Sequence, residues 1–281
     1  MPTRTKDTNP SSPYWRYLGR PLCYHLLPGA LLIYLGLGAV LYVFQGNVIY
    51  HPDDTPTAEC PELPAGTEVV RYGQSGTRGY YHAAGDPLVV LYHGNAGRAC
   101  DRAWIARALL APADVSFLLV EYTGYGGDEK TPSATAIRSN VRDTIAFARE
   151  RGHTQVRVMG QSLGAAAATY HAAAGEVAAL LLSTPFASYQ ALARVHYPLY
   201  PTAWLLRERF PVAAYLAEVT APTTIIHGDA DHIVPLAHAE YLREVSGSSD
   251  TQLIVVPGAG HNDIYATTQW IEAARSFVVT D

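Results

Sequence analysis

The segment most indicative of the fold of this chain is Val156-Arg157-Val158-Met159-Gly160-Gln161-Ser162-Leu163-Gly164. Its apolar start predicts a buried strand, and the four alanines at 165–168 that follow it predict a helix. A G-x-S-x-G pentapeptide between a strand and a helix is typical of a nucleophile elbow, a tight turn that exposes a serine hydroxyl. Gly160 and Gly164 leave the space that such a turn needs, and Ser162 is the candidate nucleophile. A plain glycine-serine turn closing a strand is the alternative interpretation.

A serine hydroxyl is a poor nucleophile at neutral pH, so it needs a histidine base and an acid that orients the histidine. After a nucleophile elbow, the acid and the histidine follow the serine in that order, each at the end of a strand. The β-branched residues 223–227 predict one strand, and Asp229 and Asp231 lie in the loop after it. Residues 253–256 predict the next strand, and His261 lies in the loop beyond. We therefore expect His261 to be the base and one of the two aspartates to be the acid.

A fourth feature lies upstream of the serine. Residues 87–92 predict a buried strand that leads directly into His93-Gly94-Asn95-Ala96-Gly97. Esterases use a histidine-glycine loop of this kind to supply a backbone N–H to the oxyanion hole. We expect the oxyanion hole to consist of the backbone amides of Asn95 and Leu163. His93 is expected to hold the loop together rather than to transfer protons.

These motifs make the chain resemble the α/β-hydrolase superfamily. Within it, the chain is similar to the membrane-anchored α/β-hydrolase-domain subfamily, whose animal members include protein depalmitoylases. The resemblance runs from Leu88 to the C-terminus, about two-thirds of the chain. It rests on His93-Gly94-Asn95-Ala96-Gly97, Glu121-Tyr122-Thr123-Gly124-Tyr125-Gly126, Gly160-Gln161-Ser162-Leu163-Gly164, His227-Gly228-Asp229-Ala230-Asp231-His232-Ile233-Val234-Pro235 and Gly260-His261-Asn262-Asp263.

The resemblance implies a serine hydrolase of ester or thioester bonds. It also implies that Asp231 is the acid, with Asp229 as the alternative. The chain departs from the family pattern at Gly127-Asp128-Glu129-Lys130, where relatives have a serine-glycine pattern at the mouth of the site. A substrate preference is therefore not carried over.

The remaining pattern predicts the α/β class, an α/β-hydrolase fold with a mainly parallel central sheet and helices on both faces. Strands are predicted near 88–92, 115–120, 154–159, 177–183, 222–227 and 252–256, after an early hairpin at 69–82. A helix over 134–151 is predicted to begin after a Ser133 cap. Residues 184–219 form an aromatic-rich insertion, interpreted either as a lid that shelters an acyl chain or as an ordinary packed crossover.

The N-terminal region predicts one transmembrane helix over residues 22–44, a 23-residue apolar stretch. Such a helix spans about 35 Å, enough to cross a membrane. Residues 1–21 would be a polar cytoplasmic tail, 45–66 a proline-rich spacer, and 67–281 the hydrolase domain. A cleaved signal peptide and a helix buried in the globule are the alternatives. Lysine and arginine precede the span and are absent between 45 and 70, so the positive-inside rule places the catalytic domain on the extracytoplasmic side.

Composition narrows the function classes further. The net charge of −5 gives no basic surface for nucleic acid, and no nucleotide-binding glycine motif implies a cofactor. The histidines and aspartates at 227–238 fit no compact zinc pattern, so no metal is predicted. Cys60 and Cys100 are expected to be an unlinked buried pair, with a disulfide as the alternative. The predicted function is hydrolysis of an acyl ester or thioester substrate, with a serine peptidase or a non-catalytic interaction protein as alternatives.

Overall fold

The computed structural model describes the chain from residue 14 to residue 279, with side chains described from residue 26 onward. The chain divides into two compact units, Met1–Phe44 and Gln45–Asp281, and each is described by itself. Most of the predicted polar tail, residues 1–13, lies outside the described residues.

The first unit contains one long helix, α1 (Tyr14–Val43). The helix begins earlier than the predicted start at residue 22, and it runs through Pro28 and Gly29 without a break. Its segment Leu26–Val43 has a mean hydropathy of 2.1, and only 6% of that segment is buried. A helix in the core of a soluble domain is mostly buried, so this exposure disfavours the buried-helix interpretation. The helix is long and apolar enough to span a membrane.

The second unit is a layered α/β structure. Its strands are β1 (His51–Pro52), β2 (Glu68–Tyr72), β3 (Thr77–His82), β4 (Leu88–Tyr92), β5 (Ala96–Gly97), β6 (Ser116–Glu121), β7 (Val156–Gln161), β8 (Ala179–Ser183), β9 (Thr223–Gly228) and β10 (Thr251–Val256). Its helices are α2 (Gln45–Ile49), α3 (Ala103–Ile105), α4 (Ala134–Glu150), α5 (Leu163–Ala174), α6 (Tyr189–His196), α7 (Thr202–Leu205), α8 (Val212–Leu216), α9 (Ala237–Val245) and α10 (Thr268–Val279). Further helical turns surround α3 between residues 99 and 113.

The central sheet has the strand order β10-β9-β8-β7-β4-β6-β3-β2. The strands from β10 to β6 run parallel, and the β2–β3 hairpin joins β6 in the antiparallel sense. This arrangement confirms the predicted α/β fold with a mainly parallel sheet. The six predicted strands all occur, each with its ends within two residues of the expected positions.

Both faces of the sheet are buried. On β8, Leu180 and Leu182 pack into one hydrophobic cluster, whereas Leu181 packs into the cluster on the opposite face. Side chains alternate between the two faces of a strand, and a strand covered on both sides therefore has a continuous apolar sequence. Helix α4 begins as predicted, because the Ser133 hydroxyl accepts a hydrogen bond from the Ala136 N–H at 3.1 Å.

The structure differs from the prediction that residues 45–66 form a spacer. Residues 45–49 are the helix α2, and β1 pairs in parallel with β5 in the loop after β4. Further along, the Thr57 carbonyl accepts a hydrogen bond from the Tyr80 hydroxyl at 2.7 Å. The prolines restrict this segment to extended conformations, and such a backbone also fits a groove of the domain. The segment is therefore part of the hydrolase unit.

Cys60 and Cys100 form a disulfide, which corrects the expectation that they are unlinked. Their Cα atoms are 5.7 Å apart, within the usual range for a disulfide. Cys100 belongs to the helical turns after β5, and Cys60 belongs to the segment that packs against the domain. Their proximity depends on that packing, which the sequence pattern does not reveal.

The insertion between β8 and β9 has features of both predicted alternatives, a packed crossover and a lid. Its two ends are packed, since Phe186, Phe210 and Leu216 are buried in the core. Its middle carries α6 and α7 and is exposed, with the Trp204 side chain 86% accessible to solvent. Much of its aromatic content is thus ordinary packing, while the central part remains available for other contacts.

Candidate active site

Ser162 lies between β7 and α5 in a strained backbone conformation. Its φ of 52° and ψ of −113° place it in a region that non-glycine residues rarely adopt. A Cβ atom on Gly160 would lie 2.3 Å from the Gly164 carbonyl oxygen, and one on Gly164 would lie 2.1 Å from the Tyr92 carbonyl oxygen. Both glycines are required because any side chain would collide with backbone. The turn therefore has the geometry of a nucleophile elbow rather than of a plain loop.

The three predicted side chains of the triad lie in one hydrogen-bonded series. The Nε2 atom of His261 is 2.9 Å from the Ser162 hydroxyl, and its Nδ1 atom is 2.7 Å from Asp231 Oδ2. The residues come from the turns after β7, β9 and β10, whose carboxyl ends meet at one edge of the parallel sheet. In this arrangement the imidazole can remove a proton from the serine while the aspartate holds its other nitrogen.

Asp231 is buried and held by several donors. Its Oδ1 atom accepts hydrogen bonds from the N–H groups of Ile233 and Val234, both at 2.8 Å. Burial alone would raise the pKa of Asp231, but hydrogen bonds with His227, His261 and the Val234 N–H lower that pKa well below its usual range. The carboxylate is therefore ionised throughout the neutral range.

The alternative acid, Asp229, is in a different position. It is exposed, and its Oδ1 atom accepts a hydrogen bond from the Gly258 N–H at 2.6 Å. This contact joins the loops after β9 and β10. The structure thus brings Asp231 to His261 and leaves Asp229 as a loop-bridging group.

The predicted oxyanion residues lie on both sides of the serine. Leu163 is the first residue of α5, so its amide is one of the N-terminal N–H groups that have no acceptor within the helix. On the other side, a Cβ atom on Gly94 would be 3.9 Å from the Ser162 Cβ. Asn95, the next residue, is held through its carbonyl oxygen by the His51 N–H at 2.9 Å and by the Tyr125 hydroxyl at 2.8 Å. The Asn95 side chain donates to the Ile49 carbonyl at 2.9 Å.

His93 lies in the interior of the domain, where its contacts are structural. It is fully buried, its Nδ1 atom is 2.8 Å from the Gly94 carbonyl, and its ring packs against Tyr122 at a centroid distance of 4.2 Å. The Tyr122 hydroxyl donates to the His93 carbonyl at 2.8 Å. His93 therefore shapes the loop that carries Asn95.

Sequence reasoning gave no role to Glu121. This carboxylate is fully buried, lies 3.3 Å from His93 Nε2, and accepts the Ala99 N–H at 3.2 Å. A buried polar group is costly unless it has polar partners, and these contacts join Glu121 to residues on both sides of the loop after β4. A glutamate at the end of the apolar run of β6 is the signal that could have indicated such a role.

Two further histidines, His238 and His196, have structural contacts. His238 Nδ1 accepts the Ala187 N–H at 3.2 Å, and His196 Nε2 lies 2.8 Å from the Ile233 carbonyl. In the part of the chain that the structure describes, there is no group of three or more metal-binding side chains arranged around a common point.

Comparisons with known proteins identify relatives that match from about half to most of this chain. The chain is 34% identical over 253 residues to an uncharacterized protein of Mycobacterium tuberculosis, and the match covers 86% of this chain and 89% of the relative. It is 30% identical over 161 residues to the alpha/beta hydrolase domain-containing protein aho-3 of Caenorhabditis elegans, covering 56% of this chain and 47% of that protein. No protein-family model matches the chain.

Solved structures with a similar fold include an esterase from Pyrococcus furiosus, with a TM-score of 0.64 and 15% identity. That match covers 82% of this chain and 96% of the esterase. A bacterial membrane phospholipase A matches with a TM-score of 0.59 and 17% identity, over 95% of this chain and 99% of that one. Together with the sheet order and the nucleophile elbow, these structures show that the chain has the α/β-hydrolase fold, and its Caenorhabditis elegans homologue is an alpha/beta hydrolase domain-containing protein.

Proposed function

We propose that the protein is a membrane-anchored serine hydrolase that cleaves carboxylic ester or thioester bonds through an acyl-enzyme. The observation that carries this proposal is the hydrogen-bonded series of Ser162, His261 and Asp231 at a strained turn. Backbone strain persists only where the surrounding structure enforces it, and such strain is concentrated at functional sites. A non-catalytic scaffold would have no need for this combination.

In the proposed mechanism His261 takes the proton of Ser162 as the hydroxyl attacks the acyl carbonyl. Asp231 keeps the imidazole in the required tautomer and stabilises its protonated form. The backbone amides of Leu163 and Asn95 bind the developing oxyanion, and the loss of one such donor typically costs about 3 kcal/mol. His261 then protonates the leaving group, and water hydrolyses the acyl-enzyme.

The comparisons favour esters as the substrate class. Structurally similar proteins include an esterase and a phospholipase A, although a shared fold alone does not determine a substrate. Thioesters react by the same acyl-transfer chemistry and remain within the proposal.

Helix α1 supports a membrane anchor for this enzyme. The charge asymmetry around it supports a cytoplasmic N-terminus with the hydrolase unit on the extracytoplasmic side. The Cys60–Cys100 disulfide is consistent with that orientation, because disulfides persist mainly in oxidising compartments.

The test is hydrolysis of a short p-nitrophenyl ester by the full-length chain and by its Ser162→Ala variant. We expect the variant to lose activity and labelling by a fluorophosphonate probe while its melting temperature stays within a few degrees of the parent value. Ser249→Ala, at an exposed serine, is the matched control and should keep both properties. An active Ser162→Ala variant would overturn the proposal, and cleavage of aminoacyl substrates in preference to esters would indicate a peptidase.

A further inference from the structure

The middle of the insertion exposes apolar side chains within ten residues of sequence. In this segment, residues 195–204, here called the insertion tip, the exposed fractions are 50% for Val195, 37% for Tyr197, 80% for Leu199 and 86% for Trp204. Single exposed apolar residues are common on soluble proteins, but four of them within one short segment, including a highly exposed tryptophan, indicate a contact surface.

The insertion tip is flanked by positive charge. Residues 194–209 contain three arginines, Arg194, Arg207 and Arg209, and one acidic residue, Glu208, in a chain whose net charge is −5. All three arginines are exposed. The Glu208 carboxylate accepts hydrogen bonds from the Tyr50 hydroxyl and the Ala134 N–H, both at 2.6 Å, so it is engaged inside the domain. Apolar and aromatic side chains bordered by arginine match the interface of an anionic membrane.

The insertion is also tied to the residue that follows the N-terminal helix unit. Gln45 is buried, and its Nε2 atom donates to the Leu205 carbonyl at 3.4 Å. Its Oε1 atom accepts the Arg207 N–H at 2.7 Å. Gln45 comes directly after Phe44 in the chain, and Leu205 comes directly after Trp204, so each pair of Cα atoms is only ~3.8 Å apart. Gln45, the first residue of the hydrolase unit, is thus held next to the insertion tip.

We propose that the insertion tip is a membrane-contact surface, with the Trp204 ring in the interfacial region of the bilayer and the flanking arginines among anionic lipid headgroups. Tryptophan favours this region because its ring is apolar and its N–H finds polar partners. This inference rests on the proposed membrane anchor, which would bring the bilayer to Gln45. It assigns the exposed middle of the insertion to the lipid surface rather than to a protein partner.

The test measures tryptophan fluorescence of the full-length chain reconstituted in phosphatidylcholine vesicles, with and without phosphatidylglycerol. Subtracting the spectrum of the Trp204→Phe variant isolates the emission of Trp204. We expect this emission to be blue-shifted relative to water and quenched by lipids that carry bromine near the headgroup end of the acyl chains. The anionic lipid should increase the quenching because it attracts the arginines.

Glu176→Trp in the Trp204→Phe background is the control. Glu176 is an exposed residue before β8, at the opposite end of that strand from the insertion, so its tryptophan should emit as in water and resist quenching.

Vesicle flotation distinguishes a failure of the anchor from a failure of this inference. A chain that floats with vesicles while Trp204 stays unquenched would overturn the membrane-contact surface and leave the anchor standing. A chain that does not float would overturn both, whereas ester hydrolysis in detergent tests the catalytic proposal independently. Equal quenching with and without anionic lipid would overturn the role given to the arginines.

Discussion

At the scale of the residue, Asp231 and Asp229 differ by two positions and have different environments. Asp231 is buried, with one carboxylate oxygen on His261 and the other on two backbone N–H groups, whereas Asp229 is exposed and bonds to the Gly258 N–H. An aspartate that contacts the histidine as Asp231 does fixes the tautomer of the imidazole. We therefore expect Asp231→Asn to lower kcat for ester hydrolysis by about 10⁴-fold, as a wrong tautomer does in comparable triads.

The matched control is Asp229→Asn, which alters the same loop and should change kcat by less than about tenfold. Steady-state kinetics on one p-nitrophenyl ester, with melting temperatures of both variants, provides the comparison. If Asp229→Asn were the more damaging change, the acid would have been assigned to the wrong residue.

Some residues of the candidate site follow from the sequence alone, and others do not. Ser162 and His261 follow from motif and chain order, because a tight turn demands glycines at fixed spacing and strands place their loops at one edge. The residue types and positions in the loop fit Asp229 as well as Asp231, and it is the family resemblance that implies Asp231, the aspartate that contacts His261 in the structure. Glu121 was missed because its role depends on a contact with His93 in the loop after β4, and the only local sign of that contact is a glutamate at the end of the apolar run of β6.

At the scale of the element, the loop after β4, which carries the proposed oxyanion donor Asn95, is held by side chains at the end of β6 and just after it. The Tyr125 hydroxyl donates to the Asn95 carbonyl at 2.8 Å, so it fixes the peptide next to the proposed oxyanion donor. Tyr125→Phe should lower kcat about tenfold with little change in KM, because the donor acts mainly in the transition state. Tyr241→Phe, on the exposed face of α9, should leave both constants unchanged. A change confined to KM would show that Tyr125 acts in substrate binding instead.

Helix α5 contains a buried histidine that makes stability depend on pH. Burial lowers the pKa of His171 to about 3, and its Nδ1 atom is 2.9 Å from the Tyr92 hydroxyl. Below a pH of about 6.5 the unfolded chain binds a proton at this position that the folded chain does not, so stability falls with decreasing pH. The loss due to His171 should reach about 2 kcal/mol at a pH of about 5.

Urea unfolding in detergent, repeated at pH values from neutral to about 5, gives the slope of the unfolding free energy against pH. His171→Gln keeps an acceptor for Tyr92 and should have a shallower slope. The pKa of His238 is also lowered by burial, so the difference between parent and variant isolates His171. Carboxylates such as Asp231 contribute mainly below a pH of about 4, outside this window. Identical slopes for the two proteins would contradict the buried neutral state of His171.

At the scale of the whole molecule, the residues between the N-terminal helix and the sheet are part of the catalytic unit. They pair with the loop after β4 through β1, and the disulfide fastens them to the turns that follow. The sequence predicted the strands of the sheet well because each strand carries its own apolar pattern. It failed for residues 45–66 because their structure comes from contacts with distant segments, not from local periodicity.

The disulfide stabilises the packing of residues 45–66 against the rest of the hydrolase unit, and unfolding experiments measure this contribution. It links residues separated by 40 positions, and closing a loop of that size in the unfolded chain is worth about 4 kcal/mol in the chain-entropy model. The double variant Cys60→Ser and Cys100→Ser should therefore unfold at a lower urea concentration. Because the bond fastens the segment that contacts Asn95, the variant should also lose ester hydrolysis at lower temperature than the parent.

The oxidation state of Cys60 and Cys100 also tests the proposed orientation of the chain in the membrane. In a Cys23→Ser background, both remaining cysteines should resist a maleimide reagent in unfolded membrane extracts until a reductant is added. This result is expected only if the hydrolase unit folds in an oxidising compartment, since cytoplasmic thiols are kept reduced. Full labelling without reductant would place the unit on the cytoplasmic side. The anchor would then be inserted against the positive-inside rule, and the four basic residues that precede residue 22 would lie outside.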